Sequence, residues 1–96
     1  MIYHIAASDD WNLHLTNSTY EPQAFLKEGF IHCSTKEQVP GVLLRYYAGV
    51  RHLMLLHIEE NKLTALLKYE TGTNGELFPH VLGPINKDAI VIVENL

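Results

Sequence analysis

The chain lacks any strong concentration of charge. Charged residues make up 19% of its 96 residues, the net charge is −4 with neutral histidines, and Lys and Arg nowhere form a cluster. Binding to a phosphate backbone relies on such clusters because they displace condensed counterions, so we expect no nucleic-acid partner. The same weak positive field disfavours attachment to an anionic membrane surface.

Long apolar runs and a second cysteine are also missing. Residues 1–10 carry acids where a signal peptide would be apolar, and no run is long enough to span a bilayer. The single cysteine, Cys33, has no partner for an internal disulfide, so we expect a reducing, cytoplasmic setting in which Cys33 is a buried small side chain. The P-loop and G-x-G-x-x-G motifs are absent, which excludes nucleotide binding by either glycine-rich phosphate loop. The G-x-S-x-G motif of serine hydrolases is absent as well.

Hydrophobic residues make up 47% of the chain, which is enough for one modest core. We therefore expect a single domain over residues 1–96. Hydrophobic patterns predict strands at residues 2–6, 30–34, 53–58, 66–70 and 89–94. One main helix is expected at about 35–47, and short helices at about 11–15 and 22–27. Strands joined by short connections, with one substantial helix, predict an α+β fold of mostly antiparallel sheets.

Local signals mark where the helices begin and end. Pro22 suits the first position of a short helix, and Gly29 suits its left-handed stop. Thr35 followed by Gln38 matches a capping box for the main helix, although Pro40 would allow that helix to start at Val39. Asp9 or Asp10 is the expected cap of the helix at 11–15.

The segment at residues 28–35, EGFIHCST, predicts a helix stop, a short buried strand and a helix start in succession. In a strand, Phe30, His32 and Ser34 would point to one face and Ile31 and Cys33 to the other. A polar pair in a buried strand costs free energy unless each group finds a partner. A ligand is one such partner, so this strand is the first expected location of a binding site.

Six histidines occur in the chain, and they fall into two groups. Those at positions 14, 52 and 57 lie in polar or strand-end contexts and are expected to be surface residues or partners of nearby acids. Three others interrupt apolar or conformationally constrained segments: His4, His32 and His80. Each of these alone would suit a ring bonded to a backbone carbonyl, but three together favour a shared pocket.

Metal binding is the rival use of these histidines. The paired spacings H-x-H, H-E-x-x-H and C-x-x-C are absent, so we predict no metal site, although dispersed histidines can still converge. Two carboxylates are candidates for catalysis. Glu70 ends a predicted strand, and Glu76 closes the glycine-rich loop that follows it; either could stabilise a developing cation or act as a base.

The chain resembles a family of small, mainly bacterial proteins known as domain of unknown function 952. The likeness spans nearly the whole sequence and is carried by an ordered set: His4, Trp11, residues 28–34, Gln38, Glu70, Phe78-Pro79-His80 and Gly83-Pro84. The resemblance implies a reduced ADP-ribosyltransferase-like fold, in which two small antiparallel sheets form a cleft for NAD.

The resemblance also implies roles for individual residues. Binding of NAD would involve the following: His4 on the adenosine-side ribose, His32 with Ser34 and Thr35 in the nicotinamide pocket, and His80 as a further pocket residue. Catalysis would use Glu70, which supports the ribosyl cation, together with His32. Cleavage of the nicotinamide bond passes through an oxocarbenium-like state, which a carboxylate and fixed donors stabilise.

The function this implies is recognition of NAD or ADP-ribose as a small-molecule ligand, with ADP-ribosyltransferase or NAD glycohydrolase activity. A non-catalytic ligand-binding or interaction module of the same fold is the alternative, and a histidine metal-binding protein comes third. Oligomeric state is left open by the sequence.

Overall fold

A computed structural model describes residues 1–72 and 74–96. Over this part of the chain the fold is α+β, as predicted, with eight strands and three α-helices. In chain order the elements are β1 (Ile2–Ala7), α1 (Ser8–Asn12), β2 (Thr19–Tyr20), α2 (Gln23–Glu28), β3 (Ile31–His32), α3 (Val39–Tyr46), β4 (Leu53–Ile58), β5 (Leu67–Thr71), β6 (Leu77–Val81), β7 (Ile85–Asn86) and β8 (Ile90–Asn95).

The strands form three small antiparallel sheets. One has the order β1-β4-β8, a second has the order β3-β6-β5, and β2 pairs with β7. The apolar run at 53–58 occupies the centre of the first sheet, where Leu56 and Ile58 are fully buried. The prediction of mostly antiparallel sheets with one main helix is therefore confirmed.

One backbone bridge joins the two larger sheets. Tyr3 of β1 and Ser34, just after β3, exchange both N–H to carbonyl bonds at 2.8 and 2.7 Å. Away from this bridge, β1 and β3 are not paired strand to strand. In the described residues, the backbones of the two sheets are therefore bridged at one position, close to His4 and His32.

β3 is shorter than the predicted strand at 30–34, and Pro79 gives the reason. Cys33 N–H donates to the Pro79 carbonyl at 2.9 Å, but proline has no N–H to return the second bond of the pair. The predicted alternation of side chains holds over residues 30–33: Ile31 and Cys33 are buried in the core, while Phe30 and His32 are only partly covered. Ser34 differs from the prediction, because its backbone pairs with Tyr3 and the residue is buried.

Two helix boundaries agree closely with the sequence signals. α2 follows Pro22 and ends at Gly29, whose φ of 80° is the left-handed stop. A single 3-10 turn at Lys36–Gln38 precedes α3, and the Thr35 N–H donates to the Gln38 side-chain oxygen at 3.0 Å in a capping box.

The first helix differs from its prediction. α1 begins at Ser8 instead of near Trp11, which places Trp11 inside the helix and against the core. Asp10 does not cap α1, because its Oδ2 accepts the N–H of Gln23, the first residue of α2, at 3.2 Å. This carboxylate therefore accepts the backbone N–H of the first residue of a later helix, which has no partner within that helix.

Apolar side chains form two clusters on either side of the β1-β4-β8 sheet. Under α3 lie Ile5, Val39, Val42, Leu53, Leu55 and Phe78. The larger cluster fills the space between the sheets and contains Ile2, Ala6, Trp11, Tyr20, Ile31, Cys33, Leu56, Ile58, Val81, Ile85 and Ala89. Among the described residues, the helices are too short to cross a membrane.

Candidate functional site

A cleft of about 580 Å³ lies beside α3, on the face of the β3-β6-β5 sheet that is opposite to the larger apolar cluster. His32 and His80 occupy directly opposite positions on β3 and β6, so their side chains emerge on the same face with ring centroids 5.6 Å apart. Phe78 shares this face two residues before His80, and its ring centroid lies 5.0 Å from that of His32. The volume is in the usual range for small-molecule sites, roughly 300–1,000 Å³.

The end of α3 and the turn that follows β5 complete the lining of the cleft. The lining residues are Glu28, Phe30, His32, Val42, Tyr46, Tyr47, Thr71, Gly72, Phe78 and His80. Gly72 is required by close approach, because a Cβ there would lie 2.7 Å from Cδ2 of the Phe78 ring. The walls are therefore rich in aromatic rings, which suit flat apolar groups.

Two contacts hold His80 in place. Phe30 stacks on its ring with centroids 4.0 Å apart and an angle of 16° between the planes. Glu70 Oε1 lies 2.8 Å from Nδ1 of His80. A carboxylate only accepts, so Nδ1 carries a proton, and in the neutral ring Nε2 is then the nitrogen that accepts.

His32 is electrostatically unusual. Burial, as the largest cause, and the positive charges of the neighbouring His80, His4 and Arg45 together lower the pKa of His32 to about 4. His32 is therefore neutral at physiological pH. A neutral ring between two aromatic walls can donate and accept one hydrogen bond each.

His4 contacts the cleft from behind. Its Nδ1–H donates to the carbonyl oxygen of His32 at 2.7 Å, and alternation along β3 directs this carbonyl toward β1. Burial lowers the pKa of His4, although the bond to His32 and the charge of Asp10 oppose this effect. The His4 side chain lines a second, smaller cavity, and His32 lies between the two cavities.

The remaining predicted site residues lie away from the cleft wall. Ser34 is 2% exposed beside the bridge between the sheets, and Thr35 begins the turn before α3. Glu70 reaches the cleft only through His80, while the Glu76 side chain lies 4.0 Å from Arg45 and 3.5 Å from Gln38. Of the two carboxylates, Glu70 is therefore the one tied to a cleft histidine.

The histidines assigned no role have ordinary environments. His57 Nε2 lies 2.8 Å from Glu94 Oε1 on the far sheet, and His52 is exposed. His14 is partly covered and its ring meets Tyr20 edge-on at 5.5 Å, so it is less solvated than predicted. Within residues 1–72 and 74–96, no group of three or more His, Cys, Asp or Glu side chains is arranged to hold a metal ion.

Some wall residues were not singled out from the sequence. Tyr46 and Tyr47 follow each other at the end of α3, and two adjacent aromatic residues at a helix end are the signal that could have drawn attention to them. Phe78 and His80 are two residues apart along β6, so their side chains lie on the same face of the strand.

Comparison with known proteins places these features in a family. The model of the family described as "Protein of unknown function (DUF952)" matches residues 5–93. A crystal structure of protein CC0527 from Caulobacter crescentus is similar, with a TM-score of 0.89 and 29% identity over 99% of this chain and 84% of that one. The solution NMR structure of the same protein gives a TM-score of 0.83 and 29% identity, over 99% of this chain and 83% of that one. No curated protein matches the sequence. The match over residues 5–93 shows that this chain belongs to the DUF952 family.

Proposed function

We propose that the cleft between His32 and His80 binds NAD or ADP-ribose in the cytoplasm, and that bound NAD is hydrolysed to nicotinamide and ADP-ribose. The observation that carries the proposal is the pairing of two histidines in one aromatic cavity, with Glu70 at 2.8 Å behind His80. The family resemblance noted from the sequence implies the same ligand.

Aromatic walls support recognition of a flat ring. The rings of Phe30, Phe78 and Tyr47 line the cleft, and flat aromatic groups gain from stacked or edge-on contact with such rings. The cleft volume of about 580 Å³ suits the nicotinamide riboside half of the dinucleotide. Arg45, whose charge lowers the pKa of His32, supplies a cation for the pyrophosphate.

Hydrolysis requires a base and a stabilised cation. In the proposed step, water donates a proton to Nε2 of His80, and its oxygen forms a bond to C1′ of the ribose. The bond from C1′ to the nicotinamide nitrogen breaks, and nicotinamide leaves with the electron pair. Glu70 then stabilises the imidazolium of His80, so in this scheme Glu70 is a positioning residue and His80 is the base. His32 contacts the nicotinamide as a neutral hydrogen-bond partner.

A non-catalytic binding module is the second candidate, and one observation favours it. The Glu70 carboxylate is bonded to His80 and is not among the residues that line the cleft, so a carboxylate is not presented directly to the ribosyl cation. This alternative predicts that ADP-ribose and NAD bind with similar affinity and that nicotinamide is never released.

Calorimetric titration and a nicotinamide-release assay test these alternatives together. The informative variants are His80→Gln and Glu70→Gln. Matched controls come from the second histidine and carboxylate pair, His57→Gln and Glu94→Gln, which have the same 2.8 Å contact on another sheet. We expect wild type and both controls to bind ADP-ribose and release nicotinamide.

The two cleft variants should separate binding from chemistry. We expect Glu70→Gln to retain most of the binding and lose at least tenfold in turnover, because the imidazolium loses its partner. Binding without nicotinamide release in wild type would select the non-catalytic module. Absence of binding by ADP-ribose, NAD and nicotinamide alike would overturn the ligand assignment, and a rise in Tm with zinc alone would favour metal binding instead.

A further inference from the structure

A second cavity of about 200 Å³ lies on the other side of His32, between β1, α1 and the start of α2. We call it the His4–Asp10 pocket; its polar lining includes His4, Asp10, Tyr20 and Glu28. The volume equals roughly seven water molecules at about 30 Å³ each, which is small for a whole ligand and suitable for the end of one.

One wall of the pocket carries a buried acceptor atom without a partner. His4 is 7% exposed, and its Nδ1 is 2.7 Å from the His32 carbonyl oxygen, which can only accept. The proton of the neutral ring is therefore on Nδ1, and Nε2 presents a lone pair. None of the described residues places a hydrogen-bond partner on this buried Nε2. Burial also lowers the pKa of His4, which agrees with a neutral ring.

The same pocket contains a second acceptor in the same condition. Asp10 Oδ2 accepts from the Gln23 N–H at 3.2 Å and from the Tyr20 hydroxyl at 3.5 Å. Its other oxygen, Oδ1, is buried and has no hydrogen-bond partner among residues 1–72 and 74–96. Two buried acceptors that lack donors in one cavity are costly, so a donor that reaches both would be stabilising.

The chemistry of the lining identifies the donor. Two acceptors with a carboxylate charge call for a cation that has several N–H groups, and none of the described residues that line the pocket is Lys or Arg. The partly exposed rings of Phe30 and Tyr47 also line the pocket, and aromatic rings of this kind attract a cation. A hydroxyl offers one donor, whereas a primary ammonium offers three. We propose that the His4–Asp10 pocket binds a primary alkylammonium group, which donates to His4 Nε2 and Asp10 Oδ1.

The proposed amine contacts can be tested apart from the dinucleotide proposal. They use Asp10 and the Nε2 atom of His4, which do not line the larger cleft, although Glu28, Phe30, His32 and Tyr47 line both cavities. Its probes also differ, because the test uses amines without any nucleotide. The amine can come from a small free molecule or from a lysine side chain of another protein, and the probes distinguish these sources.

The test is a thermal-shift titration with n-butylammonium chloride. The controls are n-butanol, which has the same alkyl chain, and sodium chloride at the same ionic strength. At about tenfold excess over the dissociation constant, we expect n-butylammonium to raise Tm by roughly 6–11 °C. We expect no shift from either control. The amide of Nα-acetyl-lysine should match or exceed butylammonium if the pocket takes a lysine side chain, and should bind at least tenfold more weakly if it takes a free amine.

Variants assign any binding to the pocket. Asp10→Asn removes the negative charge, and its amide oxygen can still accept the Gln23 N–H. His4→Asn removes Nε2, and its amide can still donate to the His32 carbonyl. Both should abolish the shift. Asp9→Asn, an exposed neighbour with the same change of charge, should keep it.

Three results would overturn the proposal. They are no shift in wild type, an equal shift with n-butanol, and a shift that survives in Asp10→Asn. If the variants fail to fold, NMR of the wild type decides the question, since butylammonium must move the ring resonances of His4 and leave those of His52 unchanged. If the His4 resonances stay fixed at saturating amine, the proposal is wrong and the two acceptors bind buried water only.

Discussion

Replacement of His32 by Gln should make the free energy of unfolding less sensitive to acid. Burial and the nearby His80, His4 and Arg45 together lower the pKa of His32 in the fold to about 4, against 6.5 in the unfolded chain. Above the unfolded value the ring is neutral in both states and has no effect on the pH dependence. Between these two pKa values the unfolded chain binds a proton that the folded chain does not, so stability is lost as the pH falls.

The size of this effect follows from the two pKa values. At about pH 4.5 the linkage relation gives an upper bound of ~2.6 kcal/mol lost relative to neutral pH. His32 is only partly buried, and solvent screens its neighbours, so we expect ~1–2 kcal/mol. The pKa of His4 is lowered as well and adds in the same direction, but it is common to wild type and His32→Gln.

Urea denaturation of both proteins at several pH values between about 7.5 and 4.5 measures the effect. As the pH falls over this range, wild type should lose ~1–2 kcal/mol more of its free energy of unfolding than His32→Gln loses. His52→Asn is the matched control, because His52 is exposed with φ of 61°, a conformation that Asn tolerates. Parallel pH profiles for wild type and His32→Gln would refute the argument that His32 stays neutral in the fold.

Three further predictions concern the fold and the shape of the cleft. Leu56→Ala should lower the free energy of unfolding by ~2–5 kcal/mol in urea titrations, since Leu56 is fully buried; a loss under ~1 kcal/mol would contradict this packing. Gly72→Ala should push the Phe78 ring into the cleft and weaken ADP-ribose binding measured by calorimetry, whereas unchanged affinity would speak against this wall. Cys33, whose thiol pKa is raised by burial, should react with a disulfide reagent only after unfolding; rapid labelling of the native protein would contradict its buried position.

Elements with a strong local signal could be predicted from the sequence. The apolar run at 53–58 gave the central strand β4, because residues buried on both faces leave a continuous hydrophobic pattern. The stop at Gly29 followed from the conformational freedom that a left-handed residue requires. The pairing of His32 with Phe30 on one face followed from strand alternation alone.

Features that depend on distant partners could not be predicted in this way. β2 and β7 have two residues each, so neither shows a period, and each exists only because it pairs with the other. Asp10 looked like a cap for its own helix, yet it bonds Gln23 at the start of α2. The end of β3 depends on Pro79, which lies 46 positions after Cys33 in the numbering and next to it in space.

The candidate site shows the same division. Histidines in buried strands indicated a site, and two of the three, His32 and His80, do line one cleft. His4 lies behind them because its Nδ1 is bonded to the His32 carbonyl, a contact that depends on how the two sheets meet. The tyrosines at the end of α3 complete the wall only through the packing of that helix.

Histidine side-chain NMR during titration with ADP-ribose shows whether the cleft binds this ligand. We expect the ring resonances of His32 and His80 to move together and saturate at one dissociation constant, while those of His52 and His57 stay fixed. Ring resonances of His32 and His80 that do not respond to saturating ADP-ribose, or that move no more than those of His57, would contradict a ligand cleft at this position.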